Sequence, residues 1–587
     1  MNLSGSGSIT SQSGNANFIG TISGAGGLTT AGAGTVSISN TTNTYSGGTT
    51  ITGGTTQIGA GGSLGTGNVT FSGGSLRVNS SNTSITQNIA VNSAATLTVA
   101  PDATFGLSGA LSGSGALSIE GEVGGEEGNP TALSLSGSNS GFSGDLSLIF
   151  TQSTIASGAN LGTGAVTLNS SRLIASSSLT ASNDITLSDA FSDTTPPDFS
   201  VGSGLTMTLS GTISGINGTK LGDGDLALTG TYSPTGLTIS AGSVTTNTTT
   251  ISAVASLTNN SSLIFSGGGV SDPAYSGVIS GTGSVSITNP TSNVILSGVN
   301  TYSGGTNFNG GTCQISADNQ LGAGNLTFNT GALAIAGSDV TTTKTMALTT
   351  SGTLSVDTSR TFSADGVISG TGQLIKTGAG TLIPSQTNTY SGGTAFNAGT
   401  VQITADNQLG TGSLTFNTGA LSVVTSDVTT SKAVAITNTG TLSVDTSRTL
   451  TADGVISGTG QLIKTGAGTF IPSGTNTYSG GTAFNAGTVQ ITADNQLGTG
   501  SLTFNTGALS VVTSDVSTSK AVAITNTGTL NVDTSRTLTA NGVISGTGQL
   551  IKTGAGSLIL SGTNTYSGGT ALNAGTVQIS ADNQLGT

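Results

Sequence analysis

Gly399-Thr-Val-Gln-Ile403, Gly419-Ala-Leu-Ser-Val423, Gly440-Thr-Leu-Ser-Val444 and Gly460-Gln-Leu-Ile-Lys464 follow one another at steps of 20, 21 and 20 residues, and Gly487-Thr-Val-Gln-Ile491 comes 27 later. Each is a short alternating run opened by glycine. A period of two sends successive side chains to opposite faces of a strand. A second set keeps the same beat at Leu414-Thr-Phe416, Val434-Ala-Ile436 and Val455-Ile456. Between the runs stand Gly, Asn, Asp, Ser and Thr, the residues that form turns. Two strand families on one rhythm of about 21 residues describe the coils of a β-solenoid. Alternation places Val401, Leu421, Leu442 and Leu462 in one inward column and Ile403, Val423 and Val444 in its neighbour. At a strand spacing of ~4.8 Å, about 27 coils would make a rod of about 130 Å.

The steps together make 88 residues, and a larger repeat has that length. Asn-Thr-Tyr-Ser-Gly-Gly-Thr occurs with its tyrosine at Tyr45, Tyr302, Tyr390, Tyr478 and Tyr566, the last four 88 residues apart. Weaker copies surround Phe142 and Tyr232. Residues 391–478 and 479–566 differ at six positions, among them Asp453 against Asn541. The expected organisation is therefore diverged coils over 1–302, with acidic loop insertions near 120–130 and 184–198, and near-identical repeats over 303–587, about four coils each. The signature positions taken as structural are Asn43, Tyr45, Gly47, Gly48, Asn300, Tyr302, Gly304, Gly305, Asn388, Tyr390, Gly392, Gly393, Asn476, Tyr478, Gly480, Gly481, Asn564, Tyr566, Gly568 and Gly569. Asn388, Asn397, Asn407 and Asn417 are candidates for stacked asparagine ladders or plain turns.

Composition agrees with a narrow core. Of 587 residues only 6% are charged and 4% aromatic, there is no Trp and no His, and Gly contributes 95. A compact enzyme carries about a quarter charged residues. Disorder is disfavoured because 34% of the chain is hydrophobic, in short alternating runs. Twelve Lys and Arg against a net charge of −13 leave no basic patch for nucleic acid. Lys376, Lys464 and Lys552 recur every 88 residues, about 19 Å apart along a stack, beyond the screening length of ~8 Å. Cys313, the single cysteine, aligns with Val401, Val489 and Val577 and is expected to be a small buried hydrophobe.

Gly378-Ala-Gly-Thr-Leu-Ile383, Asn388-Thr-Tyr-Ser-Gly-Gly-Thr394, Asn397-Ala-Gly-Thr-Val-Gln-Ile403 and Leu409-Gly-Thr-Gly412 together resemble the autotransporter-associated β-strand repeat, also called the passenger-associated transport repeat. The resemblance implies a right-handed parallel β-helix of an autotransporter passenger, secreted or displayed on the bacterial cell surface, acting as a stalk or adhesin-like rod. It also implies tethering to an outer-membrane β-barrel, with host-surface or glycan ligands, or self-association, as expected partners. Met1-Asn2-Leu3-Ser4-Gly5-Ser6-Gly7 has neither a basic start nor an apolar stretch, and the chain stops mid-repeat at Leu585-Gly-Thr587. Truncation at both ends is expected, with targeting and anchoring parts elsewhere.

Catalysis finds little to work with. Without histidine, no Ser-His-Asp or Cys-His arrangement is possible. Two acidic stretches, Glu120-Gly-Glu122 with Glu126-Glu127 and Asp184, Asp189, Asp193 and Asp198 around Pro196-Pro197, read as solvated loops. A calcium site or a glycan-cleaving carboxylate pair are the alternatives. Asp223 and Asp225 read as a turn, and Asp357 with Arg360, repeated at Asp445 with Arg448 and Asp533 with Arg536, as a weak surface ion pair. No catalytic, metal or cofactor site is expected. The competing functions are a carbohydrate-active β-helix enzyme and an ice-binding solenoid. The latter needs Thr-x-Thr on every coil, where this chain has Val-Gln-Ile, Leu-Ser-Val and Leu-Thr-Phe.

Overall fold

The computed structural model describes residues 1–123, 130–189, 197–267, 273–291 and 293–587. The fold is an all-β parallel solenoid with coils of about 20 residues, and among the described residues its helical segments are short 3-10 turns such as Asp406–Leu409. Each coil has three sides. One coil runs Val434–Ile436, Thr439–Val444 and Thr449–Ala452, then returns to the first side at Ile456–Gly458. The register climbs in parallel, Leu414 opposite Val434 and Val434 opposite Ile456.

Two compact units are distinguished. The first comprises Met1–Ser286 and Ser297–Gly304. Its sheets include a ten-stranded stack from Asn15–Phe18 to Ile213–Gly215 and another from Thr83–Ile85 to Val278–Ser280. The second comprises Ile287–Leu296 and Gly305–Thr587. It holds a nine-stranded stack from Asn293–Ile295 to Ile456–Gly458 and an eleven-stranded stack from Val340–Thr342 to Ile544–Gly546.

The alternation of the sequence becomes the alternation of burial. Thr400–Ile403 and Ala420–Val423 both bury their second and fourth residues. Stacking also aligns like with like: the rings of Phe396 and Phe416 lie 4.3 Å apart and within 4° of parallel, as do those of Phe484 and Phe504. A fully buried Leu or Phe contributes about 1.5–3 kcal/mol. The core is therefore a set of columns one residue wide, each stabilised by the coils above and below.

One predicted column is wrong. Val401, Leu421 and Leu442 do align, but Leu442 stands opposite Lys464, and Leu462 stands opposite Gly440. The glycine spacing misleads because Gly440 lies inside the six-residue strand Thr439–Val444, whereas Gly460 lies in the turn before Gln461–Thr465. The 27-residue step is likewise no long coil. Gln461–Thr465 stacks under Thr482–Phe484, while the strand after Gly487 stacks on Thr469–Pro472.

Candidate functional site

The signature is built around buried polar groups that bond between coils. Asn388 is buried and joins three coils. Its Oδ1 accepts from the Ile368 N–H at 2.7 Å, and its Nδ2 donates to the Gln408 carbonyl at 2.7 Å. Asn476 repeats this between Ile456 and Gln496, Asn564 between Ile544 and Gln584, and Asn43 between Ile22 and Ser63. Asn300 accepts from the Ile279 N–H at 2.8 Å. Of the two roles weighed for Asn388, Asn397, Asn407 and Asn417, a shared ladder is not the one seen. Asn407 and Asn417 are exposed and Asn397 is half-buried.

Tyr45, Tyr302, Tyr390, Tyr478 and Tyr566 are fully buried. The hydroxyl of Tyr390 is 2.7 Å from that of Thr394, and Tyr45, Tyr478 and Tyr566 pair likewise with Thr49, Thr482 and Thr570. Burial pushes the Tyr45 phenol up to about 12, opposed by its bond to Thr49, and raises Tyr390 and Tyr478 for the same reason. The second glycine of the motif, at Gly48, Gly305, Gly393, Gly481 and Gly569, has φ between +75° and +87°. There the chain turns from the tyrosine segment into the next strand, in a conformation that suits glycine. Gly47, Gly304, Gly392, Gly480 and Gly568 sit against the backbone of the preceding coil; a Cβ on Gly392 would meet the Gly372 carbonyl carbon at 2.4 Å.

Leu409-Gly-Thr-Gly412 is the next floor of the same construction. The Thr411 N–H donates to the Tyr390 carbonyl at 2.9 Å, and Gly410 faces the Tyr390 ring. Gln408 closes the 3-10 turn by accepting from the Thr404 and Ala405 N–H groups at 2.8 and 3.2 Å. A copy that the sequence disguised is Asn139, which accepts from Leu111 N–H at 2.7 Å and donates to the Asn160 carbonyl at 2.5 Å. It precedes Phe142 by three residues where Asn388 precedes Tyr390 by two.

The repeated lysines are the chief surprise. Lys220, Lys376, Lys464 and Lys552 are fully buried, not surface charges. Lys464 Nζ donates to the carbonyls of Thr465, Gly466 and Ala486 at 2.6, 2.8 and 3.3 Å. Lys376 makes the same three bonds to Thr377, Gly378 and Ala398. An ammonium offers three donors and no acceptor, so it suits a corner where three carbonyls converge. Desolvation pushes Lys376 and Lys464 down to about 8. In the first repeat the same position is Thr30, whose hydroxyl pairs with that of Thr56 at 2.6 Å.

The acidic residues are also placed differently from the expected loops. Glu120 lies in the strand Leu117–Gly121 and accepts from Ser118 at 2.9 Å, and Glu122 pairs with Arg77 two coils away. Asp198 opens the strand Asp198–Val201, buried and bidentate to Arg172 at 2.5 and 2.9 Å. Desolvation raises its carboxyl, opposed by the guanidinium. Asp184 accepts from the Thr212 N–H at 2.8 Å and Asp189 from the Ser170 hydroxyl at 2.7 Å. Pro197 is described, while Glu126, Glu127, Asp193 and Pro196 lie outside the described residues. Asp225 accepts from the hydroxyls of Ser243 and Thr245 in the next coil. Asp357 and Arg360 form no ion pair: the Arg360 N–H closes a backbone turn onto the Asp357 carbonyl at 3.0 Å, as at 445–448 and 533–536. The near-identical repeats instead carry the pairs Lys344–Asp318, Lys432–Asp406 and Lys520–Asp494, again 88 residues apart. Among the described residues no cluster of three His, Cys, Asp or Glu could hold a metal ion. Cys313 is buried, in register between Val294 and Leu333, with its thiol pushed up to about 12 by burial.

Comparison with known proteins follows this geometry. The passenger-associated-transport-repeat family matches residues 28–58, 219–253, 291–315, 374–403, 462–491 and 550–579. The chain thus carries six passenger-associated transport repeats on a parallel β-solenoid. In four of them the buried lysine stands near the start. The chain is also similar to an adhesin autotransporter, BmaC, of Brucella suis biovar 1 (strain 1330), at 56% identity over 48 residues. That stretch is 8% of this chain and 1% of the relative, so the chain spans only a small part of that protein. No solved structure matches the chain.

Proposed function

We propose that the chain is a structural, non-enzymatic part of an autotransporter passenger, exported and held at the surface of a Gram-negative bacterium as a solenoid stalk with adhesin-like contacts. The full polypeptide is tethered by an outer-membrane β-barrel, and its ligands are host-surface or glycan groups. The observation that carries this reading is that the passenger-associated transport repeats lie on solenoid floors, five of the six with the same buried Asn and Tyr. The polar groups of these floors bond to the chain's own backbone. Asn388 uses both ends of its amide between coils, and Lys464 gives all three donors to carbonyls. Groups so engaged hold coils together rather than wait for substrate. The signature residues from Asn43 to Gly569 are accordingly read as structural. The adhesin named among similar proteins adds support for the surface role.

The test is binding of purified 1–587 to cultured host cells and to arrayed glycans, beside a hydrolysis assay on the same glycans. Saturable binding without cleavage supports the proposal. Turnover of any glycan contradicts it, and absence of binding to every surface contradicts its adhesin part.

A further inference from the structure

The 88-residue repeat does not hold a whole number of coils. From Thr394 to its equivalent Thr482 the chain lays down eleven strands and two irregular segments, 406–412 and 476–479. That makes thirteen sides, and a coil has three. Each repeat is four coils and one further side, so each copy starts one side further round.

The register shows the rotation directly. Ile368–Gly370, Gln373–Thr377 and Thr381–Pro384 are the three successive sides of one coil. The signature at 388–391 stacks on the first, the Thr389 N–H donating to the Ile368 carbonyl at 2.9 Å. The second side climbs within one sheet from Gln373–Thr377 to Ile456–Gly458, where the next signature stacks, Thr477 onto Ile456 at 2.8 Å. The third climbs within one sheet from Thr381–Pro384 to Ile544–Gly546, where the third signature stacks, Thr565 onto Ile544 at 2.8 Å. Identical sequence thus occupies all three sides in turn. The irregular segments carry each side across the break: 406–412 lies on Tyr390, and Val428–Thr430 packs on Asp406–Leu409.

We infer that the near-identical repeats form a three-sided display, each added copy turning its whole surface by a third of a turn, so that three copies restore the original direction. A flat partner, such as a membrane or a second stalk lying alongside, meets equivalent surfaces only at every third copy. A small soluble ligand reaches every copy. The repeats therefore supply length and all-round presentation, not a one-sided strip for avid binding.

Pulsed electron-spin distance measurement on doubly labelled full chain tests this, in a Cys313→Val background, valine being the residue at 401, 489 and 577. Thr429 and Ser517 are sequence-equivalent and exposed on different sides. Ala435 lies outward on the side that, through 476–479 and 494–500, leads to Ser517 four coils on. The Ala435→Cys/Ser517→Cys pair should give the shorter distance, near ~19 Å plus label arms. The Thr429→Cys/Ser517→Cys pair should be clearly longer, because it crosses the body of the coil. The reverse order, or equal distances, overturns the inference, and circular dichroism of each labelled chain confirms that both are read on the same fold.

Discussion

Gly410 faces the ring of Tyr390, one coil earlier, so closely that a Cβ on Gly410 would stand 2.9 Å from two ring carbons and 2.5 Å from the Tyr390 carbonyl oxygen. Its φ of +66° adds a second reason for glycine. The same contact recurs between Gly65 and Tyr45, Gly498 and Tyr478, Gly586 and Tyr566, and Gly162 and Phe142. The two motifs of the repeat are thus the two halves of one joint between coils. Gly410→Ala should cost several kcal/mol, about 1–2 of it from the left-handed backbone alone and the rest from the clash. Gly474→Ala, where the nearest atom lies at 3.4 Å, should cost far less. Thermal unfolding of both variants checks the contrast.

Asn388 holds an amide N–H of the coil before and a carbonyl of the coil after. Asn388→Leu leaves both buried groups without partners, at about 1–3 kcal/mol each. Hydrogen exchange should show Ile368 and its neighbours losing protection while coils several repeats away stay unchanged, because a solenoid is stabilised by neighbour contacts.

The buried lysines give a pH dependence of definite sign. Lys376 and Lys464 titrate at about 8 in the fold and near ~10.4 in the unfolded chain. Between those values the unfolded state binds more protons, so stability rises with pH from about 8 to about 10.5 and is flat just below 8. Denaturant melts at pH 7, 9 and 10 measure this. Lys464→Met should weaken the fold at pH 7, by stranding three carbonyls, and reduce the rise.

Cys313 is enclosed in the core column and its thiol is pushed up to about 12. Only the thiolate reacts quickly with disulfide reagents. Native chain should show almost no reaction with a thiol-titrating disulfide at pH 8, and one equivalent after denaturation.

Much of this was legible in the sequence because alternation and period are local properties. Val401, Leu421, Ile403, Val423 and Cys313 fall in their predicted columns, and the parallel solenoid follows from them. What escaped was register at the break. Glycine marks turns only where it is not inside a strand, so Gly440 and Gly460 looked equivalent and displaced Leu462 by two residues. The enclosure of Lys464 was not legible either, since nothing in a string of residues tells that three carbonyls converge on one amine. Asn139 was hidden by one inserted residue. Glu122 and Asp198 looked like loop acids because their partners, Arg77 and Arg172, are 45 and 26 residues away.

The most direct test of the account is surface display of the whole polypeptide that contains this chain. A short epitope inserted between Thr446 and Ser447, in an exposed turn, should be stained by antibody on intact Gram-negative cells and removed by added protease, without permeabilisation. Staining only after the outer membrane is opened would contradict a passenger stalk.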